Sequence, residues 1–143
     1  MRRYGECVPF AVALTVLLVL LGAFQLALAA GAPLGRFAWG GQHRVLPTRL
    51  RIGSVVSILI YAVIVLLAWS RVGAIDLFPL VVSKVGMWVV FGYFALGIVM
   101  NALSRSRPER FTMTPVCLVL AALSFFIAMG FDDIEMETLT LAL

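Results

Sequence analysis

The stretch VPFAVALTVLLVLLGAFQLALAA, Val8 to Ala30, decides the fold: its 23 residues are interrupted by only two polar side chains, Thr15 and Gln25. A hydrocarbon core about 30 Å thick is crossed by about 20 apolar residues in a helix. Lipid offers the backbone no hydrogen-bond partners, so such a run folds as a helix, which satisfies its own amides. A barrel strand would be roughly ten residues long and would alternate in polarity, and this run does neither.

Three more runs of this kind follow. Ile52 to Ser70 ends on Trp69 and is followed by Arg71, an aromatic and a cation suited to a membrane interface. Pro79 to Leu103 is apolar except for Ser83, Lys84 and Asn101, with Pro79 in a first turn where its missing N–H costs nothing. Pro115 to Phe131 completes the set, with Thr114 as its expected N-cap and Pro115 at its first helical position. Short connections make sequence neighbours spatial neighbours. The predicted fold is therefore all-α: a single integral membrane domain over 1–143, an up-down-up-down four-helix bundle with helices at about 8–30, 52–70, 79–103 and 115–131 and an acidic tail at 132–143. Composition agrees, since 63% of the 143 residues are hydrophobic and 13% charged. A soluble domain holds roughly 45 to 50% apolar residues, so a water-soluble globule is excluded.

Eleven basic residues against seven acidic leave a net charge of +4. These charges lie between the spans and are not interleaved with stacking aromatics, so they read as topology signals and lipid headgroup contacts, and no nucleic-acid partner is expected. Loops 31–51 and 104–114 carry Arg36, Arg44, Arg49, Arg51, Arg105, Arg107 and Arg110, and the other side carries Arg2, Arg3, Arg71 and Lys84. Seven cations against four place both loops in the cytoplasm and both termini outside the inner membrane of a bacterium. Arginine in preference to lysine fits a GC-rich bacterial genome. The acids Asp132, Asp133, Glu135 and Glu137 suit the outer side, whereas Arg2 and Arg3 oppose the assignment.

The N-terminus has a rival reading, a secretory signal with Ala27, Ala29, Ala30 and Gly31 as its cleavage region. Its apolar run is longer than the 7 to 15 residues of a signal core, so a retained helix is expected. Cys7 begins the first helix and Cys117 the fourth, on opposite faces, which excludes a disulfide between them. Neither belongs to a CxxC pair.

Lys84 is the first candidate for chemistry, because a charge within an apolar span is costly. It lies only about 7 to 8 Å into its helix, so it either snorkels to the headgroups or meets Glu6 or Asp76 inside the bundle. Gln25 and Asn101 lie toward the opposite face, as an interhelical hydrogen bond or as part of a solute path. Ser54, Ser57 and Tyr61 share one helical face, and Tyr93, Gly97 and Asn101 share another that reads as a packing seam. His43, the single histidine, cannot build a bis-histidine haem or a multi-histidine metal site, so neither metal nor cofactor is expected. Phe37 and Trp39 read as interfacial anchors, and Trp88 as a ring either between helices or against acyl chains.

The first loop, GAPLGRFAWGGQHRVLPTRLR from Gly31 to Arg51, holds four glycines, two prolines and four arginines, the composition of a shaped cap on the membrane surface. Through Gly31, Pro33, Gly35, Ala38, Trp39, Gly40, Gly41, Leu46, Pro47, Arg49 and Arg51 it resembles a family of small uncharacterised bacterial membrane proteins. The resemblance implies four helices and transfers no activity. Small multidrug transporters fit less well, because the glutamate of their first helix has no counterpart between Val8 and Ala30. The Arg and Asn/Glu cluster of membrane glutathione-type transferases is likewise unmatched by Ile52 to Ser70.

Three functions are weighed. The first is association, as a homo-oligomer or an accessory to a membrane-protein partner, without catalysis, through the loop arginines. The second is a small-solute carrier or channel with Lys84, Gln25 and Asn101 along the path. The third is a lipid-handling enzyme using Ser104, Ser106 and His43, for which no orienting acid is evident nearby.

Overall fold

The computed structural model describes residues 7–130 and 140–143. Four helices, α1 (Val8–Ala29), α2 (Thr48–Arg71), α3 (Leu80–Ala102) and α4 (Arg107–Met129), form an all-α four-helix bundle. Lengths of 22 to 24 residues give axes of about 33 to 36 Å, enough to cross a bilayer. All four are apolar enough to do so. Chain order sets their neighbours: α1 packs on α2 and α3 on α4, with slimmer α2–α3 and α1–α4 seams closing the ring.

Small and medium side chains at helical spacing make the shared core: Ala11, Leu14 and Leu18 of α1, Ile64 and Ala68 of α2, Met87, Val90 and Phe94 of α3, and Leu120, Ala121, Ile127 and Ala128 of α4. Many further apolar residues point outward, Leu20, Leu59, Val81 and Val89 among them. This distribution is the reverse of a soluble bundle's, and it suits a lipid solvent against which apolar side chains need no cover. The chain is a small multi-pass membrane protein.

Polar ties join the helices where lipid gives no alternative. The Trp69 indole N–H of α2 donates to Thr15 Oγ1 of α1 at 3.0 Å, and that hydroxyl donates to Ala11 O at 2.7 Å. Arg71 Nη2 donates to Ala128 O near the end of α4 at 3.2 Å, capping a carbonyl with a cation. An aromatic cluster consolidates the same end: Phe10 stacks on Phe126 at 5.2 Å, and Trp88 meets Phe125 edge-on at 5.7 Å. Trp88 thus leans on α4 while 37% of it stays exposed on the outer side of the bundle.

Two expected helix boundaries move. α2 begins at Thr48, four residues before the expected Ile52, because Pro47 accepts from the Leu50 and Arg51 amides and opens the helix itself. Arg49 and Arg51 therefore belong to a first turn, not to a loop. α4 begins at Arg107, eight residues before the expected Pro115, with Ser106 as N-cap and Pro108 in the first turn. Thr114 is not an N-cap, and Pro115 lies inside the helix. Consequently Cys117 does not begin α4 but lies about 15 Å along it, while Cys7 flanks α1 at the other end, and both thiols are free. The acids of the tail, together with Arg2, Arg3 and Glu6, fall outside the described residues.

Candidate functional site

Residues 31–47 fold as a cap over the end of the bundle where α1 and α3 finish and α2 and α4 begin. α1 stops in a Schellman turn: Ala32 N bonds Ala27 O at 2.9 Å and Gly31 N bonds Leu28 O at 3.1 Å, with Gly31 at φ 97°. Two short 3-10 turns follow, Gly35–Phe37 and Trp39–Gly41. Ala38 and Leu46 are buried with Leu28 against Phe24, Leu34 and Leu50, so the cap owns a small core. Arg51 Nε closes it by donating to Leu46 O at 2.9 Å.

Trp39, Gly40 and Gly41 are consecutive residues with positive φ, at 54°, 81° and 68°. Glycine takes this region freely, but for a tryptophan it costs on the order of 1 to 3 kcal/mol and persists only where the surroundings hold it. Three contacts do so. The Trp39 indole N–H donates to the buried Ser54 Oγ at 3.3 Å, and its ring lies on Gly53, where an added Cβ would come within 2.7 Å. Gly40 N donates to Glu109 Oε1 at 3.3 Å. Ser106 Oγ donates to Arg36 O, with Gly41 closing tightly on the Ser106 side chain.

Glu109 is the centre of this end and went unread in the sequence. It is 7% exposed, its second oxygen accepts from Ser104 Oγ, and that hydroxyl in turn accepts the Ser106 amide at 3.2 Å. The signal was present: Ser106-Arg107-Pro108-Glu109 is an S-x-x-E capping box with proline in the first turn. Neither side chain caps α4, however, because both are turned to the cap and its neighbouring turn.

Beneath the cap lies a cavity of about 280 Å³ bounded by all four helices. Phe24, Phe37, Trp39, Tyr61, Tyr93 and Phe94 supply aromatic walls, Met100 and Met113 flexible ones, and Gln25, Asn101, Glu109 and Cys117 polar atoms. Gln25 Nε2 donates to the Tyr61 hydroxyl at 3.5 Å, leaving Oε1 buried without a hydrogen-bond partner. Asn101 Nδ2 donates to Gly97 O at 2.8 Å and Cys117 Sγ at 3.3 Å. The absent side chain of Gly97 gives that thiol its room, a Cβ there lying 3.1 Å from the sulfur.

The expected residues thus divide. Gln25 and Asn101 line one cavity, but each bonds its own neighbour. Lys84 is half-buried near the start of α3, at the uncapped end, and is not among the lining residues. Arg36, Arg44, Arg49, Arg105 and Arg107 are exposed around the cap, while Arg51 and Arg110 are half-buried. Arg107 and Arg110, expected in a loop, belong to the first turn of α4. Ser54 and Tyr61 bond across helices or to the cap as their shared face implies, whereas Ser57 bonds back to Gly53 O at 3.0 Å. The expected lack of an acid near Ser104 is corrected by Glu109, yet no triad forms: Ser104 Oγ donates a hydrogen bond to that carboxylate, and among the described residues no hydrogen bond links either serine to the exposed His43. No group of three metal-ligating side chains occurs among the described residues.

Comparison of the chain with protein-family models, curated proteins and solved structures found no match.

Proposed function

We propose that this multi-pass membrane protein resides in the inner membrane of a bacterium, capped end in the cytoplasm and termini outside, and acts there by association. Its contacts are anionic lipid headgroups and either a second copy or another membrane protein, and it carries out no catalysis. One observation carries the reading: five arginines surround the cap exposed, while Glu109, the only acid in either loop region, is turned inward and buried. A surface of that sign gains about 1 kcal/mol per cation from an anionic leaflet. The resemblance of residues 31–51 to small bacterial membrane proteins fits the same reading.

Native mass spectrometry of the protein released gently from its membrane tests it. Retained phosphatidylglycerol or cardiolipin, on an oligomer or heteromer of intact chains, is expected. Replacing Arg36, Arg44, Arg49, Arg105 and Arg107 by Gln removes most of that lipid. A bare monomer, or lipid retention indifferent to the five substitutions, overturns the proposal.

A second reading, a small-solute path, is favoured by Gln25 and Asn101 meeting at one cavity. Lys84, the third residue of that reading, does not line this cavity and stands near the other end of the bundle.

A further inference from the structure

The cavity under the cap has three properties that together specify an occupant. Its walls are aromatic and thioether, and its volume of about 280 Å³ lies just under the roughly 300 to 1,000 Å³ of sites for drug-sized molecules, so it takes a small body or one end of a longer one. Its mouth is lateral: Leu96 and Met100 line it while being 62% and 64% exposed on the membrane-facing side of α3. Both lie in the last two turns of that helix, within the leaflet beneath the cap. An opening on that side is reached from lipid.

One of its polar atoms calls for a donor. Gln25 Oε1 is buried and unpartnered, an arrangement that costs free energy until a hydrogen-bond donor arrives. Glu109 contributes two further acceptor oxygens at the roof. Among the described lining residues there is no cation, and the one charged group is acidic, so phosphate or carboxylate heads are repelled. The exposed arginines that would attract such heads lie outside the cavity.

We infer that this cavity is a binding site for a single-chain amphiphile whose head donates a hydrogen bond and carries no negative charge, its head meeting Gln25 and Glu109 under the cap and its chain leaving past Leu96 and Met100. Nothing in this inference depends on the orientation of the protein or on its arginine surface.

Photolabelling tests it on the full chain in phosphatidylcholine nanodiscs, with dodecanol carrying an alkyl diazirine in mid-chain. Saturable labelling confined to residues 93–101 and 113–117 is expected, with dodecanol competing at least about fivefold better than dodecyl methyl ether or dodecanoate, the difference one hydrogen bond makes. Gln25→Leu lowers saturable labelling by about the same factor. Leu96→Trp, which fills the mouth from an exposed position and leaves the core intact, lowers it too. Unsaturable labelling over the outer faces of all four helices overturns the site. Equal competition by the ether, or preference for the carboxylate, overturns the class of ligand. Unchanged labelling in Gln25→Leu overturns the role of the unpaired amide, and unchanged labelling in Leu96→Trp overturns the lateral entry.

Discussion

Glu109 fastens three pieces of chain with one carboxylate: the cap through the Gly40 amide, the α3–α4 turn through Ser104, and α4 on which it stands. Hydrogen bonds to a charged group are worth about 1.5 to 3 kcal/mol each, more than neutral ones. Glu109→Ala strands the Gly40 amide and opens the cap locally, so amide exchange over residues 35–46 accelerates at least about tenfold while the spans exchange as before. Exchange unchanged at Gly40 would remove Glu109 from that role. Trp39 is held at positive φ by Ser54 and by the bare surface of Gly53. Gly53→Ala puts a methyl group into the indole ring, and overpacking of this kind costs about 1 to 3 kcal/mol. Displacement of the ring toward water is the expected outcome, read as a red shift and easier quenching of tryptophan emission. Because Trp69 and Trp88 emit as well, the comparison is made in a Trp69→Phe, Trp88→Phe background.

Among the elements, α1 and α3 were legible to within a residue at each end, because an apolar run bounded by polar residues has one reading in lipid. α2 and α4 start earlier than their apolar runs for a common reason: arginines read as loop residues in a sequence, although helix first turns at a membrane surface carry them readily by pointing them outward. The cap was legible as a shaped segment from its glycines and prolines, but its attachment to α4 was not, since Gly40 and Glu109 are far apart in sequence and only tertiary packing brings them together. Gln25 and Asn101 were identified, yet the cavity that unites them is a property of four helices at once. Pro115 supplies a test at this scale. As an interior proline it leaves the Phe111 carbonyl without its i+4 amide partner and crowds it with the ring. Pro115→Ala restores the bond on an exposed face, and a gain of about 1 to 3 kcal/mol is expected in unfolding from mixed micelles. A loss of stability instead would mean that the proline ring packs against something α4 needs.

Over the whole molecule, the bundle has no long polar face to tell it which way to insert; its four outer surfaces are alike in being apolar, and orientation rests on charge at the ends. The capped end carries Arg36, Arg44, Arg49, Arg51, Arg105, Arg107 and Arg110, and the opposite end Arg71 and Lys84, while Arg2 and Arg3 precede α1 in the sequence. Two of the seven, Arg51 and Arg110, are half-buried, and Arg51 also holds the cap to Leu46, so the other five can be neutralised without touching the fold. Replacing them by Gln leaves two cations at the capped end against Arg71 and Lys84 opposite and the Arg2 and Arg3 that precede α1 in the sequence, which reverses the bias. The expected result is inversion of a large share of the molecules, read with a Cys7→Ser, Cys117→Ser chain carrying one new cysteine at exposed Gln42, probed by an impermeant maleimide on spheroplasts before and after lysis. In the parent background Gln42→Cys is modified only after lysis; in the five-arginine variant much of it is modified before. Modification before lysis in the parent background would place the cap outside, and would move the whole arginine surface to the leaflet that offers it least.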